Sequence, residues 1–114
     1  NHGEMINRRI NWKINLIYST SVEQLEAIRN EIKQYIISSK DFSTESDLDP
    51  VVRVVELGGS SIDLMIVAYA DPMGFAAFNK VKENLIFNIM KIVKNNKSEF
   101  AYPSTSLYVE SMPK

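Results

Sequence analysis

Val51-Val52-Arg53-Val54-Val55-Glu56-Leu57-Gly58-Gly59-Ser60-Ser61-Ile62-Asp63-Leu64-Met65-Ile66-Val67-Ala68-Tyr69-Ala70 contains two apolar runs parted by a glycine–serine break. The first, Val51 to Leu57, is rich in β-branched residues, which fit a pleated surface and predict a strand. Gly58 and Gly59 end it, because glycine permits the backbone angles of a tight reversal. The short link to the next run predicts a hairpin. From Ile62 to Ala70, Ile62, Leu64, Ile66 and Ala68 share one face, and Met65, Val67 and Tyr69 the other. Asp63 is the one charge. A strand apolar on both faces belongs at the centre of a sheet, covered on both sides.

Upstream of this hairpin, Ile10, Trp12, Ile14, Leu16 and Tyr18 alternate with Arg9, Asn11, Lys13 and Asn15. Period two with one apolar face predicts a half-buried strand over 9–18. Ser21 with Gln24 three residues later is a capping-box pattern. Val22, Leu25, Ile28, Ile32, Tyr35 and Ile36 follow at helical spacing, predicting an amphipathic helix that ends near Ser38 or Ser39. Residues 40–50 form a polar loop with Asp41, Glu45, Asp47 and Asp49. Calcium would suit carboxylates, but the loop lacks the glycine and terminal glutamate of a calcium-binding loop, so a solvated connection is predicted.

Downstream, Asp71-Pro72 signals a helix start, cap followed by proline in the first turn. Phe75, Phe78, Val81, Leu85, Ile89, Ile92 and Val93 predict its buried stripe, with an end near Lys94. From Phe100 to Val109 the chain reads as extended, interrupted by Pro103, which cannot sit in a central strand. The order strand, helix, strand, strand, helix, strand predicts an α+β fold. It is the split βαβ, ferredoxin-like arrangement: an antiparallel sheet with two helices on one face, here with an extended C-terminal tail. Trp12, Ile14, Leu16, Leu25, Ile28, Ile32, Ile62, Leu64, Ile66, Val81, Leu85 and Ile89 are expected to share one core. The divisions expected are a leader over 1–8, one α/β domain over 9–103 and a tail over 104–114.

At 114 residues the chain suffices for one such domain. Its net charge of −1 points to neither nucleic acid nor an anionic membrane. It contains no cysteine, which excludes disulfides, thiol nucleophiles and thiolate zinc sites. It begins at Asn1 without methionine, as expected of a piece of a longer protein, and no apolar run reaches the ~20 residues of a membrane helix. His2, the single histidine, has no partner nearby in sequence. Gly58-Gly59-Ser60-Ser61 leads into a strand, whereas a phosphate cradle opens a helix. Ser60 and Ser61 have no candidate base. No catalytic residue, metal ligand or cofactor-binding residue is therefore assigned, and the protein is not expected to be an enzyme. Lys80, Lys82, Lys91, Lys94 and Lys97 make the second helix basic, but the third strand offers only Tyr69 for base stacking, so no nucleic-acid partner is expected. Phe87 projects opposite the buried stripe and is a candidate subunit contact.

Three stretches together resemble the cytoplasmic C-terminal part of the small-conductance mechanosensitive ion channel family. They are Asn7-Arg8-Arg9-Ile10 running to Tyr18-Ser19-Thr20; Glu56-Leu57-Gly58-Gly59-Ser60-Ser61-Ile62-Asp63-Leu64, similar to the family's Gly-Asp-Ser-Ser-Ile-Asn-Leu hairpin; and Phe100-Ala101-Tyr102-Pro103-Ser104-Thr105-Ser106-Leu107-Tyr108, similar to its aromatic-x-aromatic-Pro segment. Gly59 departs from the pattern, where the family often has aspartate. The resemblance implies a homo-oligomer, commonly a heptamer, held in the cell membrane by N-terminal helices outside this sequence. Its cytoplasmic parts form a hollow cage, and tension opens the pore to release ions and small osmolytes on hypoosmotic shock. It implies that residues 1–8 end a preceding β-domain, and that the tail joins its symmetry mates. Tyr102, Thr105, Leu107, Tyr108 and Val109 then join Phe87 as subunit-interface candidates. The alternative is a free-standing ferredoxin-like regulatory or nucleic-acid-binding module.

Overall fold

The computed structural model describes residues 7–44 and 48–101. Five elements follow in order: β1 (Arg8–Ile17), α1 (Val22–Ser38), β2 (Val51–Leu57), β3 (Ser61–Ala70) and α2 (Phe75–Asn95). The strands form one antiparallel sheet ordered β1-β3-β2. The doubly apolar strand is thus the central one, as its composition predicts.

β1 pairs with β3 along its whole length, from Arg8↔Ala70 to Ile17↔Ser61. β2 pairs with β3 from Val51↔Val67 to Leu57↔Ile62, with a bulge between Val54 and Glu56. Side chains therefore line up in rows across the sheet. Trp12, Ile66 and Val52 form one row, and Ile14, Leu64 and Val54 the next. Both helices bury this face. Leu16, Ile28, Ile32, Ile36, Leu64, Ile66 and Leu85 are all fully buried there, and Val81 and Ile89 complete the cluster. Trp12, Ile14 and Leu25 are only half-buried against it, since they lie toward the edges where cover runs out.

Among the described residues no helix lies on the opposite face of β3, where the sequence pattern predicts cover. Val67 and Asp63 are nonetheless buried. Their shielding comes from flanking strands: Val67 lies between Asn11 and Val51, and Asp63 between Asn15 and Glu56. A central strand in a narrow sheet is shadowed by long neighbours and needs no second layer. On this face Lys13 and Glu56 form an exposed ion pair at 3.9 Å, of small energetic weight.

The predicted capping box forms. Ser21 Oγ accepts from the Gln24 amide at 3.1 Å, and Gln24 Oε1 accepts from the Ser21 amide at 2.8 Å. Gln24 Nε2 also donates to the Asn96 carbonyl at 2.7 Å, fastening the start of α1 to the end of α2, so the helices run antiparallel. α2 begins at Phe75 with Gly74 as its cap, and not at Asp71-Pro72. The cause is competing tertiary bonds. The Asp71 amide donates to the Asp41 carbonyl at 2.8 Å, and the Met73 carbonyl accepts from Arg8 Nε at 3.3 Å. These hold residues 71–74 against the end of the sheet. Phe75 then falls on the open first turn, 67% exposed, and does not join the buried stripe. Tyr18 and Val22, also expected inward, are exposed because β1 ends at Ile17 and α1 starts beyond the sheet margin.

After α2 the chain returns to β1. Leu16 and Phe100 form an antiparallel bridge, flanked by Ile17 N to Glu99 O at 3.0 Å and Ala101 N to Asn15 O at 2.8 Å. This stub stands where the last strand of the split βαβ fold belongs. The tail beyond it, including Tyr102 and Pro103, lies outside the described residues.

Candidate functional site

The glycine–serine turn is a hairpin lock. The Gly58 amide donates to the Ser61 carbonyl at 2.7 Å. Ser61 Oγ donates to Asp63 Oδ1 at 2.9 Å, and Asn15 Nδ2 donates to the same oxygen. Asp63 is buried, so its carboxylate depends on these donors. A Cβ on Gly58 would stand 2.9 Å from Ser61 Oγ, so a larger residue there would displace the hydroxyl that donates to Asp63. The trio ties β1 to the β2–β3 hairpin and is a structural fastening. Sequence reasoning left Asp63 as a lone charge on an apolar strand; that oddity was the available signal. Among the described residues, no three His, Cys, Asp or Glu side chains gather where they could hold a metal ion.

The surface chemistry concentrates at the two edges of the sheet. At the β1 edge, the Asn11 and Lys13 backbone groups point outward without a strand partner among the described residues, because the stub covers only Asn15 to Ile17. Beside this edge runs an apolar groove of about 360 Å³, lined by Trp12, Ile14, Ile86, Ile89, Met90 and Phe100. Its outer lip on α2 carries Ile86, Phe87 and Met90, each about half exposed. They adjoin at helical spacings of three and four. Lys91 and Lys94 border this lip on one side and Glu83 on the other.

At the opposite edge, β2 presents Val54, Val55 and Leu57 to solvent. A shallow depression of about 260 Å³ lies between it and α1, lined by Val22, Leu25, Glu26, Arg29 and Val54. The Val55 bulge spoils this edge for pairing with another strand.

One phenol is perturbed. Tyr35, half-buried on α1, is pushed above the ordinary tyrosine range, first by burial and then by the carboxylate of Asp41.

Of the residues singled out from sequence, Phe87 is where periodicity placed it, 51% exposed on the outward side of α2. Tyr102, Thr105, Leu107, Tyr108 and Val109 lie outside the described residues. Sequence reading missed that Phe87 continues into Ile86 and Met90. Those two flank the buried stripe and read as ordinary helix residues until the groove beside β1 is seen. No described helix is long and apolar enough to cross a membrane.

The family model for the C-terminal part of the mechanosensitive ion channel MscS matches residues 10–100. An uncharacterized MscS family protein of Aquifex aeolicus is 36% identical over 107 residues, covering 94% of this chain and 28% of that protein. The low conductance mechanosensitive channel YnaI of Escherichia coli is 24% identical over 115 residues, covering 98% of this chain and 32% of its own length. The cryo-EM structure of Arabidopsis thaliana MSL1 matches with a TM-score of 0.79 at 20% identity, covering 90% of this chain and 36% of that one. The last is a likeness of fold. The chain spans about a quarter to a third of the length of the curated relatives it matches.

Proposed function

The chain belongs to the MscS family of mechanosensitive ion channels, and on that premise we propose that it is the cytoplasmic cage wall of a tension-gated channel subunit. The family match over residues 10–100 carries this reading. The fold suits a wall: a sheet backed by two helices, with apolar strips at both lateral edges. In this reading the parent protein is a homo-oligomer, a heptamer by family resemblance. The rest of each subunit supplies the membrane helices and the pore, which passes ions and small osmolytes on hypoosmotic shock. The domain's part is architectural and not enzymatic.

The tail serves assembly. Antiparallel pairing between the stub and β1 sets Ala101 opposite Asn15. Continued in that register, the next hydrogen-bonding position, opposite Lys13, falls on Pro103, which has no N–H to offer. Residues from Ser104 on, with Thr105, Leu107, Tyr108 and Val109, are strand-like in sequence, and in this reading they pair between subunits.

The test compares the full-length parent with a version ending at Pro103, by pressure-clamp recording and native mass spectrometry. The parent should show a suction-activated conductance and a single oligomer. The truncated form should lose the oligomer while the thermal midpoint of this domain stays nearly unchanged. A parent with no suction-activated conductance would overturn the channel reading. An intact ring with an unfolded domain would overturn the role of the tail.

A further inference from the structure

Between α1 and the start of β2 lies a small pocket of about 240 Å³, whose lining includes Arg29, Asn30, Lys33, Pro50, Val52 and Arg53. Three of its lining residues are cations and none is an acid. In a chain of net charge −1 that is a local excess of one sign. We propose that this pocket binds a phosphomonoester dianion carried by a small soluble molecule. The site goes beyond the wall role and needs only one copy of the chain, so it depends on neither the channel reading nor the number of subunits.

The fold assembles the charge. Arg29 and Lys33 stand four residues apart on α1 and therefore share a helix face. Like charges at that spacing work against the helix, and an anion held between them turns repulsion into attraction. β2 adds Arg53 from a distant part of the sequence. Among the described residues none of the three cations forms an ion pair, the one such pair being Lys13 with Glu56. Arg29 is half-buried, and its Nε donates to Asn30 Oδ1 at 3.3 Å, which leaves its two terminal nitrogens for a ligand. Glu26, one turn ahead of Arg29, lines the neighbouring depression and not this pocket, and Asp49 is exposed before Pro50.

The sheet edge adds a backbone donor. On β1 the Asn15 carbonyl and the Ile17 amide point away from β3, toward the stub. Antiparallel alternation, carried along the row Trp12, Ile66 and Val52, turns the Val52 N–H and C=O outward at the β2 edge. No described strand pairs with that edge. The Val52 side chain is buried, which fixes its amide in place. Three positive charges around one small pocket are better offset by a dianion than by a carboxylate. The guanidinium fork matches two oxygens of a phosphate, leaving a third for Lys33 or the amide. The volume falls below the ~300–1,000 Å³ of pockets that take drug-sized ligands, which favours a small solute.

The test is calorimetric titration of the full-length parent in detergent at fixed ionic strength, with glycerol phosphate, inorganic phosphate, acetate and glycerol as probes. The two phosphates should bind saturably, acetate much more weakly and glycerol not at all. Arg29→Gln and Lys33→Gln should each weaken glycerol phosphate roughly tenfold, as expected for loss of a charge-assisted hydrogen bond. Arg29→Lys keeps the charge and loses the fork, so its affinity should fall between those of the parent and Arg29→Gln. Lys80→Gln removes the same charge from α2 and should leave binding unchanged. Because Arg29 is only half-buried and Lys33 is exposed, the variants should keep the parent's thermal midpoint. Absence of saturable phosphate binding would overturn the proposal. Equal binding of acetate, or equal weakening by Lys80→Gln, would show a diffuse charged surface and overturn it too. A phosphatidic acid headgroup carries the same dianion, so the titration is repeated in bilayer discs with and without that lipid. Unchanged affinity supports the soluble source, and lost affinity in the phosphatidic acid discs would give the site to a lipid and overturn that source. Suction-activated conductance is a separate readout, so failure of this site and failure of the channel reading are told apart.

Discussion

Replacing Leu85 with alanine tests the core most directly. Leu85 sits mid-way along α2, is completely buried, and packs in the same cluster as Leu64 and Ile66 of the central strand. The substitution removes three carbon groups, worth about 0.8 kcal/mol each in transfer, or roughly 2.4 kcal/mol. The surroundings are a β-sheet and a second helix, which cannot collapse fully into the gap. The residual cavity adds roughly 24 cal/mol per Å³, bringing the expected loss to about 3–5 kcal/mol. For a domain whose whole stability is of order 5–15 kcal/mol this is a large fraction. Urea unfolding of the 114-residue chain, followed by the fluorescence of Trp12, measures it. The midpoint should fall sharply with an unchanged slope. Phe87→Ala, on the opposite side of the same helix, is the internal control and should move stability by no more than ~0.5 kcal/mol in the isolated chain. A Leu85→Ala loss below ~1 kcal/mol, or a Phe87→Ala loss of equal size, would show that α2 is rotated from the orientation described.

Asp63→Ala should cost about 1–3 kcal/mol, because it removes the buried acceptor that the Asn15 amide and the Ser61 hydroxyl share. Asp63→Asn retains an acceptor oxygen for both donors and should restore most of the loss. Equal losses for the two variants in thermal unfolding would refute the lock. Tyr35 should ionise above the ordinary tyrosine range near ~10, and Asp41→Asn should lower its midpoint in a tyrosinate absorbance titration, read against Tyr35→Phe. Because the folded pKa is the higher one, the contribution of Tyr35 to stability is intact below the unfolded pKa and is lost as pH rises through the folded value. A Tyr35 midpoint unmoved by Asp41→Asn would remove the carboxylate from that account.

Much of the architecture was legible in local pattern. Alternation over Arg9 to Leu16 marked β1, helical spacing from Val22 to Ile36 marked α1, and the doubly apolar run from Ile62 to Ala70 marked β3 as the central strand. These are short-range periodicities, and a segment meets them before it meets the rest of the chain. Ser21 and Gln24 likewise form their cap with atoms three residues apart, needing nothing distant. Phe87 was legible for the same reason, since a helix projects its residues at fixed angles.

What required the tertiary structure involves partners far apart in sequence. Asp71-Pro72 has the local chemistry of a helix start, but the carbonyl of Asp41 and the guanidinium of Arg8 hold that segment elsewhere, and α2 waits until Phe75. Asp63 looks like a misplaced charge until Asn15, on another strand, supplies a donor. The strip of Ile86, Phe87 and Met90 is seen as a surface only when β1 ends up beside α2. Residue type and spacing determined which segments became strands and helices. Long-range hydrogen bonds and the order of strands decided where those elements began, which charges could be buried, and which apolar side chains were left facing outward.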